Sequence, residues 1–279
     1  MAASSPVEPF EIAKNLKGTV ALVTGGGRGI GRGICRQLAR AGANIVVNYL
    51  DDVEDAGETI RQCQTMGADA HAISADVSNR DAVNQMVHDA VAHFGRLDTV
   101  VSNAAYSDRE LFLDCNLEGF QRTIDVTMWG PFHLLRAAAR HMVDAGETGK
   151  PKNVIVISSP HAHMAIPGAM AYNMAKAAND QMAKTAAVEL AQHDIRVNLI
   201  HPGWIDTPGE RKFFAEETLR KEGAKLPAGR LGHTDEIGRG VVFLADPASA
   251  YVNGSTLTID GGIQLPWKEM YRIDEKAEG

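Results

Sequence analysis

Two side chains in this sequence have the types and spacing for proton chemistry. Tyr172 and Lys176 stand four residues apart in a stretch with helical patterning, so they share one helix face. A free tyrosine ionises near pH ~10. An ammonium beside it favours the phenolate and lowers that value. Such a pair can exchange a proton with a hydroxyl or carbonyl near neutral pH. The same spacing also fits a partly buried tyrosine beside a solvated lysine, so the rest of the chain must decide. A second feature is the loop Thr24-Gly-Gly-Gly-Arg-Gly-Ile-Gly31. Six of the chain's 27 glycines fall between Gly25 and Gly33. Glycine lets backbone approach a ligand closely. A helix opening there offers free N–H groups and a positive dipole end to a phosphate.

These groups need a scaffold, and the hydrophobic pattern supplies one. Short apolar runs predict strands at 19–24, 44–49, 71–75, 97–102, 153–158, 196–200 and 256–259. Helical spacing predicts helices over 30–41, 53–66, about 78–94, 119–145, 170–192 and 234–246, the third opened by the capping signal Ser78-Asn-Arg-Asp81. Strand and helix alternate, and the strands are continuous apolar runs. That combination indicates a parallel sheet covered by helices on both faces. No linker or composition shift divides the chain. The expected fold is therefore a single doubly wound α/β domain over 16–263, with seven parallel strands. Residues 1–15 read as an arm and 264–279 as a tail in which Trp267, Met270 and Tyr271 offer contact groups. The long irregular stretch near 203–232 reads as a binding loop.

Composition excludes several functions. Of 279 residues, 44% are hydrophobic and 23% charged, which excludes a disordered chain. The net charge is −7, with no basic run, so neither nucleic acid nor an anionic membrane is an expected partner. Cys35, Cys63 and Cys115 form neither a disulfide framework nor a zinc spacing. No apolar run reaches ~18 residues. The N-terminus lacks signal-peptide character, so a cytoplasmic location is expected. His161-x-His163 lacks a neighbouring carboxylate or cysteine in sequence, and no metal is expected.

In the right order along the chain, five motifs resemble the short-chain dehydrogenase/reductase family. Thr24-Gly25-x-x-x-Gly29-x-Gly31 resembles its TGxxxGxG signature. Asp76-Val77 resembles its adenine-contacting pair, and Ser102-Asn103-Ala104-Ala105 its NNAG motif with alanine replacing the glycine. Tyr172-x-x-x-Lys176 matches its catalytic motif, and Pro202-Gly203 its PG motif. The resemblance spans about 16–263 and implies a Rossmann fold and an NAD(P)-dependent oxidoreductase working on an alcohol or its ketone. It implies that Tyr172 is the acid/base, that Lys176 also reaches the nicotinamide ribose, and that Ser159 bonds the reacting oxygen. Ser158 would point the other way. Thr127, in Asp125-Val-Thr-Met-Trp-Gly130, stands where many members carry a catalytic asparagine that holds a water. Its hydroxyl could hold a water, but it lacks the amide's carbonyl and two N–H donors, which puts the proton relay in doubt.

The resemblance also places cofactor contacts at Gly25, Arg28, Gly29, Ile30, Gly31, Asp76, Val77, Asn103, Ala104, Tyr172, Lys176, Pro202, Gly203, Ile205 and Thr207. Asn48, Tyr49 and Leu50 end the second strand, where an acidic residue would select NAD. Tyr49 takes that place, and Arg28 could reach a 2′-phosphate, whereas Asp51 and Asp52 would repel one. Use of NADP or NAD, leaning to NADP, is expected. The run His201-Pro-Gly-Trp-Ile-Asp-Thr-Pro-Gly-Glu-Arg211 resembles the PGW-I-x-TPGE pattern of glucose 1-dehydrogenase-like members, which implies a sugar or polyol substrate. His161 is expected to line the pocket. Trp204 would either stack on a sugar ring or pack its own loop. A 3-oxoacyl carrier-protein reductase is the alternative, with Arg109, Arg122 and Arg136 as docking groups. A weakly catalytic sensor or scaffold is a third, disfavoured by the intact Tyr/Lys pair. The resemblance further implies a homotetramer or homodimer.

Overall fold

The computed structural model describes residues 14–146 and 152–265; most of the expected arm, and the tail with Trp267, Met270 and Tyr271, lie outside the described residues. Seven strands form one parallel sheet: β1 Val20–Val23, β2 Asn44–Tyr49, β3 Ala70–Ser74, β4 Thr99–Ser102, β5 Lys152–Ile157, β6 Ile195–Pro202 and β7 Thr256–Ile259. Their order across the sheet is β3-β2-β1-β4-β5-β6-β7. The order reverses between β1 and β4, and in such sheets ligands bind at the carboxyl ends of the strands beside that reversal.

The continuous apolar runs have a direct cause. Ala21, Val23, Ile45, Val47, Ile155 and Ile157 enter one core. Their neighbours Val20, Leu22, Val46, Val154 and Val156 enter the other. Both faces are buried, so the central strands show no alternation of buried and solvent-facing positions. The outer strand β7 differs: Thr256 and Thr258 are exposed, so its pattern does alternate.

The helices are α1 Gly29–Arg40, α2 Val53–Thr65, α3 Arg80–Phe94, α4 Leu117–Ile124, α5 Gly130–Asp144, α6 Met170–Leu190, α7 Glu216–Gly223 and α8 Thr234–Ala245. Two results depart from the sequence reading. The single helix expected over 119–145 is two helices joined by a π-helical turn, Asp125–Trp129. The stretch 203–232, read as irregular, contains α7, which hides little apolar surface beyond the buried Leu219. A helix so short and so polar has almost no apolar stripe to detect.

Candidate active site

The glycine loop joins β1 to α1. Gly25 and Gly29 have φ of +61° and +53°, a left-handed backbone that favours glycine. A Cβ on Gly31 would collide with the Gly25 carbonyl oxygen, and one on Gly33 would come within 2.6 Å of the Thr234 backbone. No side chain caps the start of α1, where Arg28 is the N-cap, and its first turn carries no acid. The result is a bare backbone cradle with donors facing outward, which fits a pyrophosphate.

Hydrogen bonds fix this cradle from behind. Thr24 Oγ1 accepts from the N–H groups of Asn103 (2.9 Å) and Ala104 (3.1 Å). Asn103 Nδ2 donates to the carbonyl oxygens of Thr24 (2.9 Å) and Gly25 (3.3 Å). The Gly25 N–H donates to Asn48 Oδ1 at 3.2 Å. Asn48 Nδ2 donates to the carbonyl oxygens of Tyr49, Ile73 and Ala75. The buried Asn48 side-chain amide is thus consumed by the backbone. Asn103 is occupied in the same way.

Other expected contacts sort by availability. Ile30 and Tyr49 are half-buried, and Leu50 is exposed. Arg28 is exposed, and its guanidinium makes no ion pair among the described residues. Arg32, by contrast, is locked onto Asp55 and the Gly27 carbonyl oxygen. Asp52 caps α2 through the Asp55 N–H, whereas Asp51 is exposed. Asp76 is held by Ser78 and by Arg122 at 3.0 Å. Burial raises its pKa, but the bonds from Ser78 and Arg122 outweigh that and hold it below the usual carboxylate range. Val77 is buried against Gly130. Pro202 ends β6. Gly203 follows, where a Cβ would lie 2.5 Å from the Asp260 backbone. Ile205 is buried, and the side chain of Thr207 lies opposite Gly29, so the loop after β6 closes over the cradle.

At the other end of the site, α6 carries Tyr172 and Lys176. Ser159 caps the short helical turn after β5 and lies close enough to the Tyr172 phenol to lower its pKa. Ser158 points away: its hydroxyl donates to Asp180 Oδ1 at 2.5 Å. Lys176 Nζ donates to the Ile157 carbonyl oxygen at 2.8 Å and stands 5.3 Å from the centre of the Tyr172 ring. The expected lowering of the tyrosine pKa does not appear. Burial pushes Tyr172 up to about 12, against smaller lowering by the Ser159 hydroxyl and the Arg109 charge. Burial also brings Lys176 down to about 8, with Asp180 opposing it. The reason is geometric: the ammonium is bound to a main-chain oxygen, so desolvation of the phenol dominates.

Thr127 also differs from expectation. Its hydroxyl donates to the Tyr106 carbonyl oxygen at 2.7 Å and accepts from the Tyr106 N–H at 2.9 Å. Its own carbonyl oxygen accepts from Asn179 Nδ2 at 2.7 Å. Thr127 therefore clamps the loop after β4 to α6, and its hydroxyl is committed to that clamp. Asn179 was not singled out from sequence; only its spacing of three from Lys176 pointed to it.

Around the mouth, His161 lies edge-on to Tyr172 with 5.1 Å between ring centres. Its Nδ1 meets Asn173 Oδ1 at 2.7 Å. Asn173 Nδ2 donates to the Ile166 carbonyl oxygen, which fixes the amide's orientation. An amide oxygen only accepts, so Nδ1 carries hydrogen and Nε2 is an acceptor. Burial lowers the His161 pKa, which keeps the ring neutral. Trp204 donates to Glu210 at 2.8 Å and packs edge-on to Phe214, so it braces its own loop. Arg109 lies 4.5 Å over the Phe213 ring, joining the loop after β4 to the loop after β6.

Comparison with known proteins places this geometry in context. A family profile described as enoyl-(acyl carrier protein) reductase matches residues 25–264. Glucose 1-dehydrogenase 2 of Bacillus subtilis (strain 168) is 35% identical over 253 residues, covering 90% of this chain and 97% of that one. The 3-oxoacyl-[acyl-carrier-protein] reductase of Synechocystis sp. PCC 6803 is 35% identical over 251 residues, covering 90% and 98%. A short-chain type dehydrogenase/reductase from Mycobacterium marinum superposes with a TM-score of 0.84 at 33% identity, covering 91% and 98%.

Proposed function

Because the chain belongs to the short-chain dehydrogenase/reductase family, we propose that Tyr172 is the proton donor and acceptor of an enzyme that interconverts a sugar or polyol with its carbonyl form. The class itself is plain: the chain is an NAD(P)-dependent oxidoreductase acting on CH–OH groups. The nicotinamide supplies the hydride chemistry when bound. The glycine cradle fits its pyrophosphate, with Gly25, Gly29, Ile30 and Gly31 as the holding backbone.

The chain's own residues would move the proton. With a pKa near 12, Tyr172 holds its proton at neutral pH and can donate it to a carbonyl oxygen. Ser159, beside the phenol, would share that oxygen and keep it in line. Lys176, tied to Ile157, would hold a positive charge behind the phenol below about pH 8.

One observation carries the sugar reading. His161 presents an unprotonated Nε2 beside Tyr172, a neutral acceptor suited to a hydroxyl next to the reacting carbon. The carrier-protein alternative needs free cations at the mouth, and Arg122 is taken by Asp76. NADP is favoured over NAD by the unpaired Arg28 and the capping role of Asp52. A homotetramer or homodimer is supported by the exposed Trp129 and Phe132. Among the described residues, no helix is long and apolar enough to cross a membrane. Turnover of sugars, polyols, steroids and acyl thioesters with each cofactor, followed at the nicotinamide absorbance, tests the reading. Activity on acyl thioesters alone would refute it.

A further inference from the structure

The fold separates the two histidines that sequence places together. His161 turns to Asn173, whereas His163 meets residues from three other elements. We propose that His163, Asp180 and His201 form a site for a divalent transition metal, zinc by donor chemistry, beside the catalytic helix. Their ligating atoms all lie within 4.8 Å of one another. His163 comes from the loop after β5, Asp180 from α6 and His201 from the end of β6.

The cluster is built rather than incidental. His201 is buried, and its Nε2 lies 2.9 Å from Asp180 Oδ2. Its other nitrogen has no partner, so its polar contact is directed at the cluster. Ser158 orients the Asp180 carboxylate at 2.5 Å, as outer groups do around metal ligands. The His163 and His201 rings stack with 5.4 Å between centres. Gln264 places Oε1 2.5 Å from His163 Nε2 and is held in turn by Asp260 at 2.9 Å. The donor set is two imidazoles and one carboxylate, with Gln264 Oε1 accepting from His163 Nε2 and orienting its ring. Calcium and magnesium prefer oxygen alone, whereas this mixture suits zinc.

Tetrahedral zinc bonds of ~2.0–2.2 Å place neighbouring donors ~3.4 Å apart. Asp180 and His201, 2.9 Å apart, lie ~0.5 Å inside that spacing and would part to admit the ion. The exposed His163, within 4.8 Å of the other two, closes the remainder by moving up to ~1.4 Å. His201 must carry its proton on the buried Nδ1 when Nε2 binds the ion, so the affinity falls below that of a preformed structural zinc site. An ion here touches no reacting atom. It would tie the loop carrying Ser159 and His161 to α6, β6 and the turn after β7.

Titration of the metal-stripped full chain with Co²⁺ tests the site, because tetrahedral cobalt absorbs visible light far more strongly than octahedral cobalt. We expect one intense-band equivalent per chain, displaced by Zn²⁺, with a raised Tm. His163→Ala is an exposed change that leaves the core intact, and it should weaken binding ~10-fold or more. Asp180→Asn should do the same. The stacked His71–His93 pair, 4.2 Å between centres, is the control. Weak bands only, or intense bands that survive both His163→Ala and Asp180→Asn, would overturn the proposal, as would bands lost in His93→Ala alone.

Discussion

The Thr127 hydroxyl and the Tyr106 peptide form a closed pair: the hydroxyl donates to the carbonyl oxygen at 2.7 Å and accepts from the N–H at 2.9 Å. This clamp lies between α6 and the loop that follows Asn103 and Ala104. Thr127→Val strips both bonds and leaves the Tyr106 N–H and carbonyl without the hydroxyl partner. It should cost about 1–3 kcal/mol of stability and lower kcat, measured by denaturation and initial rates. Thr127→Ser should retain most of both. Equal stability of the valine variant would remove the clamp from the account.

The glycine cradle gives a separate prediction. Gly31→Ala drives a methyl into the Gly25 carbonyl oxygen. Cofactor affinity should fall by at least about 100-fold while the chain still folds, since the cradle lies at the surface of the core. Fluorescence titration with NADPH and NADH reads the affinity, and circular dichroism reads the fold. Unchanged affinity would move the cofactor elsewhere.

Cofactor choice rests on Arg28. A charge-assisted hydrogen bond contributes about 1.5–3 kcal/mol, so Arg28→Ala should lower kcat/KM with NADP about 10- to 100-fold and barely change that with NAD. Asp51→Ala should act the other way, since it removes a like charge from a phosphate. Equal effects on both cofactors would contradict the assignment.

The pH dependence follows from the two buried groups. Tyr172 is raised to about 12, so the protonated acid persists through neutral pH and the base form grows as pH rises. Lys176 is lowered to about 8, so its charge is present below that pH and lost above it. Oxidation should therefore speed up from about pH 6 to 9, and reduction should hold steady and then decline above about 8. A steeply acidic optimum for oxidation would contradict this assignment.

The sheet was legible in the sequence because its central strands are buried on both faces and therefore read as unbroken apolar runs. The glycine cradle was legible because so many bare positions in one loop have few structural explanations. Short-range patterning failed where contacts are long-range. The π-turn at Asp125–Trp129 leaves helical periodicity intact, so 119–145 reads as one helix. Asn48 is a plausible ligand group by position, and only the strand pairing shows its amide spent on the backbone. The tyrosine pKa was misread for a related reason: spacing puts Lys176 on the same face, but the carbonyl of Ile157, from another strand, captures the ammonium. His163 gained its partners in the same way, from α6 and β6.

The central claim is that the Tyr172 hydroxyl moves the proton. Tyr172→Phe deletes that single oxygen and keeps the ring against His161. The most direct measurement is kcat of this variant on a substrate turned over by the wild type, with cofactor affinity measured in parallel. The account predicts a loss of at least about 100-fold in kcat with cofactor affinity nearly unchanged. Turnover within a few-fold of wild type would contradict it.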